Sequence, residues 1–394
     1  MVDEPVITPS AARAKRAYII RYAGMIIIGI LSNLPYWVAY SNSQVVTTHF
    51  DKEGHIGAVS WAIVFLSVYA TLFNAFLTSK NVSYTFRTIL NGSFMIIGLI
   101  GAAFAPNFWV AICFIAFAGV SSDFGEAVML GYAASFNDQS LLNAWGIGCG
   151  FSGLIGGIYS LICQKFTISY FWTFISVSPI GVIFPVIFVT MLKMPKEQSL
   201  LNSKEIASIE SMPSYEHIEE DVPFCSCSNW KKSFRFIINN IVMFSFQYVA
   251  LEGLTDCSMT KQEKINEPYI FGYYSLSYEF GQFIAKFLTK WLTLDKLEIA
   301  IVLGAIDFAI MLAEAITHFF PHIYLCIPLF FIGVLGSISY MSIFDVIMRV
   351  PNTTYKEREI ITNYTSVFIG GSIQIASLII LVMQNTFLKK QCIK

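Results

Sequence analysis

Two acids stand in the run Ser121-Ser122-Asp123-Phe124-Gly125-Glu126-Ala127, with long apolar stretches on either side. A spacing of three places Asp123 and Glu126 on one face of a helix. A charge at the centre of a membrane-spanning helix costs roughly 2.5–3.5 kcal/mol or more, so an acid kept there is a functional candidate. A pair of such acids suits proton uptake and release, with Glu126 as the coupling group and Asp123 as its modulator. The competing reading is a neutral acid hydrogen-bonded to a neighbouring helix for packing. A second stripe holds Glu279, Gln282 and Lys286 at spacings of three and four, after Tyr274 and Tyr278. Glu252, Asp307 and Glu314 also fall in or beside apolar runs. Together these eight residues are candidates to line a path for a polar solute. Lys286 has a bland alternative, in which its stem lies along apolar surface and its head reaches water.

No residue pattern points to an enzyme. The chain has no HExxH, phosphate-binding glycine loop or nucleophile elbow. Its histidines, His49, His55, His217, His318 and His322, fall in loops or at the ends of apolar runs. No metal or cofactor is expected: Cys225 and Cys227 form a pair with no second pair to complete a zinc site. The cysteine spacings suggest no disulfide framework.

The elements that must position these residues are set by composition. Of 394 residues, 55% are hydrophobic and 13% charged, with a net charge of −1; the mean hydropathy is +0.62. That charge is too sparse to coat a soluble protein of this size, and the balance offers no basic surface for nucleic acid. A helix needs about 20 apolar residues to cross a bilayer. That measure predicts an all-α integral membrane protein of about eleven spans: 18–40, 56–78, 87–105, 108–135, 142–163, 170–192, 236–254, 269–292, 297–319, 323–347 and 361–387. The first is long and lacks a small-residue cleavage site, so it reads as a span and not a signal peptide.

The organisation is then an N-terminus at 1–17, a six-helix half at 18–192, a linker at 193–235, a five-helix half at 236–388 and a tail at 389–394. Lys and Arg concentrate on one side, at Arg13, Lys15, Arg16, Arg21, Lys80, Arg87, Lys193, Lys231, Lys232 and Arg235 among others, which puts the N-terminus and linker in the cytosol. An odd number of spans puts the basic tail on the opposite side, against that rule. The sequons at Asn81, Asn91, Asn352 and Asn363 are then cytosolic or intramembrane, so none is expected to be glycosylated. The glycines of the fifth span, including Gly148, Gly150, Gly153, Gly156 and Gly157, allow close helix packing, with a rocking hinge as the alternative. Phe117–Gly156 and Ile332–Ser372 share an order of small-rich helix, polar turn and glycine-containing helix, a weak internal repeat of the kind secondary transporters use.

Several of these motifs, in this order, resemble the battenin family. They are Asn33 and Tyr36; Ser121, Ser122, Gly125 and Glu126; Trp145, Gly148, Gly150, Gly153, Leu154 and Gly156; Pro321, Ile323 and Tyr324; Gly333, Leu335, Gly336 and Tyr340; and Arg358-Glu359. The resemblance spans nearly all the helical chain. It implies a fold related to the major facilitator superfamily and residence in lysosomal or vacuolar membrane. It also implies roles in organelle pH, basic amino-acid balance and clearance of glycerophosphodiesters. Five positions depart from the family pattern: Asp123 stands for a glycine, Ser67 for an aspartate, Gln247 for a glutamate, Lys286 for an arginine and Ile332 for a glutamate. The expected function is a proton-linked secondary transporter of a small solute, rocking around a midplane site. The alternative is a non-transporting membrane scaffold that regulates vesicle trafficking. Within the linker, Tyr215 with Ile218 fits a clathrin-adaptor signal, and Leu200-Leu201 nearly completes an acidic dileucine signal.

Overall fold

The computed structural model describes residues 9–52, 56–136, 139–193, 227–259, 263, 270–351, 353–386 and 388. All of its regular structure is helical. Among the described residues, ten helices are long and apolar enough to span a membrane: α1 (Lys15–Ser41), α2 (Ala58–Ser79), α3 (Tyr84–Ala103), α4 (Phe108–Ser135), α5 (Gln139–Lys165), α6 (Tyr170–Leu192), α7 (Cys227–Leu251), α9 (Glu298–Thr317), α10 (His322–Met348) and α11 (Lys356–Ile380). Between them lies α8 (Ile270–Phe287), which packs against α5 and α10. It misses the apolar criterion because it carries Glu279, Gln282 and Lys286. Its polar residues lie on the face turned to other helices, while Tyr273, Phe280 and Phe287 form an exposed apolar face.

The lipid-facing sides carry large apolar side chains in the open, such as Phe104, Trp109 at 59% exposure, Trp172, Val302 and Ile306. In water such a surface would drive aggregation; in a bilayer it is the solvated face. Inside, small residues bring backbones together. A Cβ on Gly148 would strike Ile26 O and Gly29 Cα of α1, and one on Gly156 would strike Trp37. Gly150 and Gly153 face the other way, onto Phe283, Lys286 and Glu279 of α8. Helix α5 is thus a two-faced spacer, joining α1 of its own half to α8 of the second half.

Three boundaries differ from the apolar ruler. Helix α7 begins at Cys227, inside the segment assigned to the linker, because Lys231, Lys232 and Arg235 prolong the helix beyond its apolar stretch. The helix that contains α1 likewise extends back beyond the span to Pro9, in the basic N-terminal segment. The helix that contains α11 extends back to Tyr355, with a capping box: Glu357 N–H donates to Thr354 Oγ1 (3.2 Å) and Thr354 N–H to Glu357 Oε2 (2.9 Å). Cys257, just beyond α7, is disulfide-bonded. No sequence spacing signals that bond, since a disulfide depends on proximity in space. Asn91 and Asn363 are buried between helices. The sorting candidates Leu200, Leu201, Tyr215 and Ile218 lie outside the described residues.

Candidate functional site

A cavity of about 90 Å³, room for several waters, lies between the two halves. From the first half, α1 contributes Asn33, Tyr36 and Trp37, α4 contributes Ser122, Asp123 and Glu126, and α5 contributes Cys149. From the second come Gln247 and Tyr248 of α7, Gln282 and Lys286 of α8, Tyr340 of α10, and Ile369 and Ile373 of α11. The two segments with weak internal similarity, α4–α5 and α10–α11, therefore face one space from opposite sides.

Its polar wall is built from short links. Ser122 Oγ donates to Asn33 Oδ1 (2.8 Å), and Asn33 Nδ2 to Cys149 Sγ (3.3 Å). These bonds tie α4, α1 and α5 and orient the face that carries both acids. Opposite, Lys286 Nζ donates to Gln282 Oε1 (2.8 Å), and Tyr278 OH to Gln247 Oε1 (2.8 Å). Tyr36 OH and Tyr248 OH meet across the halves at 3.4 Å. Glu126 faces Tyr340 and Lys286. The cavity thus sets two acids of one half against an ammonium of the other, a pairing that opening the halves must change.

Asp123 lies beside Ser67 at the break in α2. The Ser67 hydroxyl of α2 and the Asp123 carboxyl of α4 therefore stand side by side.

The other path candidates are dispersed. Tyr278 supports the cavity through Gln247, whereas Tyr274 OH donates to His322 O (2.9 Å). Glu279 is buried against Gly153, away from the lining. Glu314 ends α9: its Oε2 accepts the N–H groups of Phe319 (2.9 Å) and Phe320 (3.3 Å), beyond the left-handed His318. Asp307 is buried on the same helix and lines no part of the cavity. The side chain of Glu252 lies outside the described residues. Gln247, noted in the sequence only as a departure, lines the cavity.

Sequence reasoning missed a second polar cluster. Arg87 of α3 pairs with Glu359 of α11 at 3.4 Å, with side chains 4% and 7% exposed. Thr78 and Tyr84 hydroxyls donate to Glu359 Oε1 at 3.2 and 2.8 Å. Arg87 also donates to Asn74 Oδ1 (3.1 Å) and Thr78 Oγ1 (2.8 Å), and Asn74 Nδ2 to Asn363 Oδ1 (3.1 Å). Further along α11, Gln374 Nε2 donates to Val64 O (2.9 Å) and Phe65 O (3.0 Å). These bonds join the halves on both sides of the cavity-lining Ile369 and Ile373. Asn74 and Asn363, amides inside apolar runs, were the available signal.

A family model described as CLN3 protein matches residues 23–226 and 225–390. Battenin of Dictyostelium discoideum is 25% identical over 92% of this chain and 94% of its own. Battenin of Canis lupus familiaris is 21% identical over 85% of this chain and 84% of its own. Among solved structures, the major facilitator superfamily proton:xylose symporter XylE matches with a TM-score of 0.64 at 11% identity, covering 96% of this chain and 91% of that one.

Proposed function

The chain belongs to the CLN3 protein family, and from that premise we propose that it is a proton-linked secondary transporter of a small solute in a lysosomal or vacuolar membrane. One observation carries this reading: both halves of a transporter-type fold contribute opposite charges to a single cavity, Asp123 and Glu126 from one and Lys286 from the other. A core that serves packing alone needs no polar space shared by both halves. Here the charges face a common polar volume, which favours transport over the scaffold alternative. Glu126 accepts the proton, Asp123 modulates it, and Lys286 with Gln282 and Gln247 holds the solute.

The charge layout favours a solute carrying both signs, with its cationic end by the acids and its anionic end by Lys286. Basic amino acids and glycerophosphodiesters with a cationic head both meet that requirement. Lysine is a point charge and does not grip a phosphate in two places as arginine does. In this reading the N-terminus and the linker are cytosolic. Cys257, at the far end of α7 from the linker, then lies on the oxidising side, where a disulfide persists. Untargeted metabolite profiling of organelles from cells lacking the protein tests the function. A small zwitterion should accumulate inside and fall when the wild-type chain, but not a Glu126→Gln chain, is restored. Unchanged metabolite contents would reject transport.

A further inference from the structure

Glu279 is 2% exposed, and neither carboxyl oxygen has a hydrogen-bond partner among the described residues. It lies outside the cavity lining, in the seam where α8 of the second half meets α5 of the first. The seam is dry by construction. A Cβ on Gly153 would fall on Glu279 Oε2, one on Gly150 would meet Phe283 Cα and the Lys286 side chain, and one on Gly157 would meet Leu276 at 3.6 Å. Residues 276, 279, 283 and 286 of α8 thus lie along the glycine stripe of α5.

The charged surroundings are few. From α5 the seam presents glycines. From α10, Gly333 and the Phe330 carbonyl pack on the backbone of Tyr278 and on Gly281. The charged neighbour of Glu279 is Lys286, seven residues on along its own helix, about 10 Å along the axis. Lys286 is held by Gln282, lies over the Tyr340 ring at 5.9 Å, and is also the charged neighbour of Glu126 and of the Cys149 thiol across the cavity. An ionised carboxylate with no donor in an apolar seam is far costlier than a neutral acid.

We infer that Glu279 is a proton-binding group in the seam between the halves, neutral in this conformation and releasing its proton to water when α5 and α8 separate. Lys286 then stands between two carboxyl groups. It faces Glu126 across the cavity, while water solvates the Glu279 carboxylate once the seam opens. The site would therefore link proton release to the relative motion of the halves. That use of the proton rests on the transporter reading; the protonation itself does not.

The test uses the purified full-length protein in lipid nanodiscs, without transport. Infrared difference spectra across a pH titration should show a protonated carboxylic-acid carbonyl band near neutral pH. One component of that band should vanish in Glu279→Gln and persist in Glu126→Gln. Because the folded state binds a proton that the unfolded state releases, wild-type thermal stability should fall as pH rises, with a shallower slope in Glu279→Gln. A band and a slope both unchanged by Glu279→Gln would overturn the inference. Should that variant fail to fold, Gly153→Ala keeps the carboxyl but forces it from the seam. The acid band should then convert to carboxylate at lower pH, and an unaltered band would equally reject the site. Loss of metabolite transport with these spectra intact would sink the function and leave the site standing.

Discussion

Glu126 and its neighbours define the sharpest expectations at the scale of single residues. Glu126→Gln should abolish the pH dependence of solute efflux from reconstituted vesicles while leaving expression and location intact; efflux that keeps its pH profile would remove the coupling role. The contact between Asp123 and Ser67 makes a paired test possible. Asp123→Gly alone should weaken transport, and adding Ser67→Asp should restore most of it, because the carboxylate returns to the same neighbourhood from the facing helix. No rescue in the double variant would show that the helix of origin matters. Arg87 and Glu359 behave differently, since each satisfies the other in a buried setting. Removing one partner leaves an uncompensated charge and should cost about 3–5 kcal/mol, whereas replacing both should cost less. Thermal unfolding of Arg87→Gln, Glu359→Gln and the double variant would measure this, and a double-variant loss equal to the sum of the two single losses would deny the coupling.

Among the elements, α8 and α11 teach the most. Helix α8 carries too much polarity to qualify as a span by composition, yet it contributes Lys286 and Gln282 to the cavity and Glu279 to the seam. Polarity that weakens a hydropathy signal is the same polarity that builds the site. Helix α11 is fixed at its start by Thr354 and Glu357, a pattern readable in sequence as Thr-x-x-Glu. It presents Glu359, then Ile369 and Ile373, then Gln374 to the other half. Thr354→Ala should lower stability by about 1 kcal/mol. Its larger expected effect is on the Arg87–Glu359 pair, two residues past Glu357, read as an added loss when Thr354→Ala is combined with wild-type Arg87 but not with Arg87→Gln. Strict additivity would separate the cap from the pair.

For the molecule as a whole, orientation is the open prediction. The linker, which ends where α7 begins at Cys227, should be cleaved by protease added outside sealed organelles, and protection would overturn the assigned sidedness. If the linker also carries the organelle address, Tyr215→Ala with Ile218→Ala should shift the protein towards the cell surface, and Leu200→Ala with Leu201→Ala should complete the shift. Normal residence of the quadruple variant would leave the linker a tether.

Composition alone determined that this chain lives in a bilayer, because 55% hydrophobic and 13% charged residues cannot coat a protein in water. Helical spacing put Asp123 beside Glu126 and lined up Glu279, Gln282 and Lys286, since three- and four-residue intervals share a face whatever the helix packs against. The choice among those residues belonged to tertiary structure. A helix face does not say which neighbour covers it. Folding sent Gln282 and Lys286 to the cavity, Glu279 to the α5 seam and Glu314 to a helix end. It also joined Arg87 to Glu359 across 272 residues of chain. Such pairings follow from which backbones small residues allow to touch, and proximity in space leaves no interval in sequence to read.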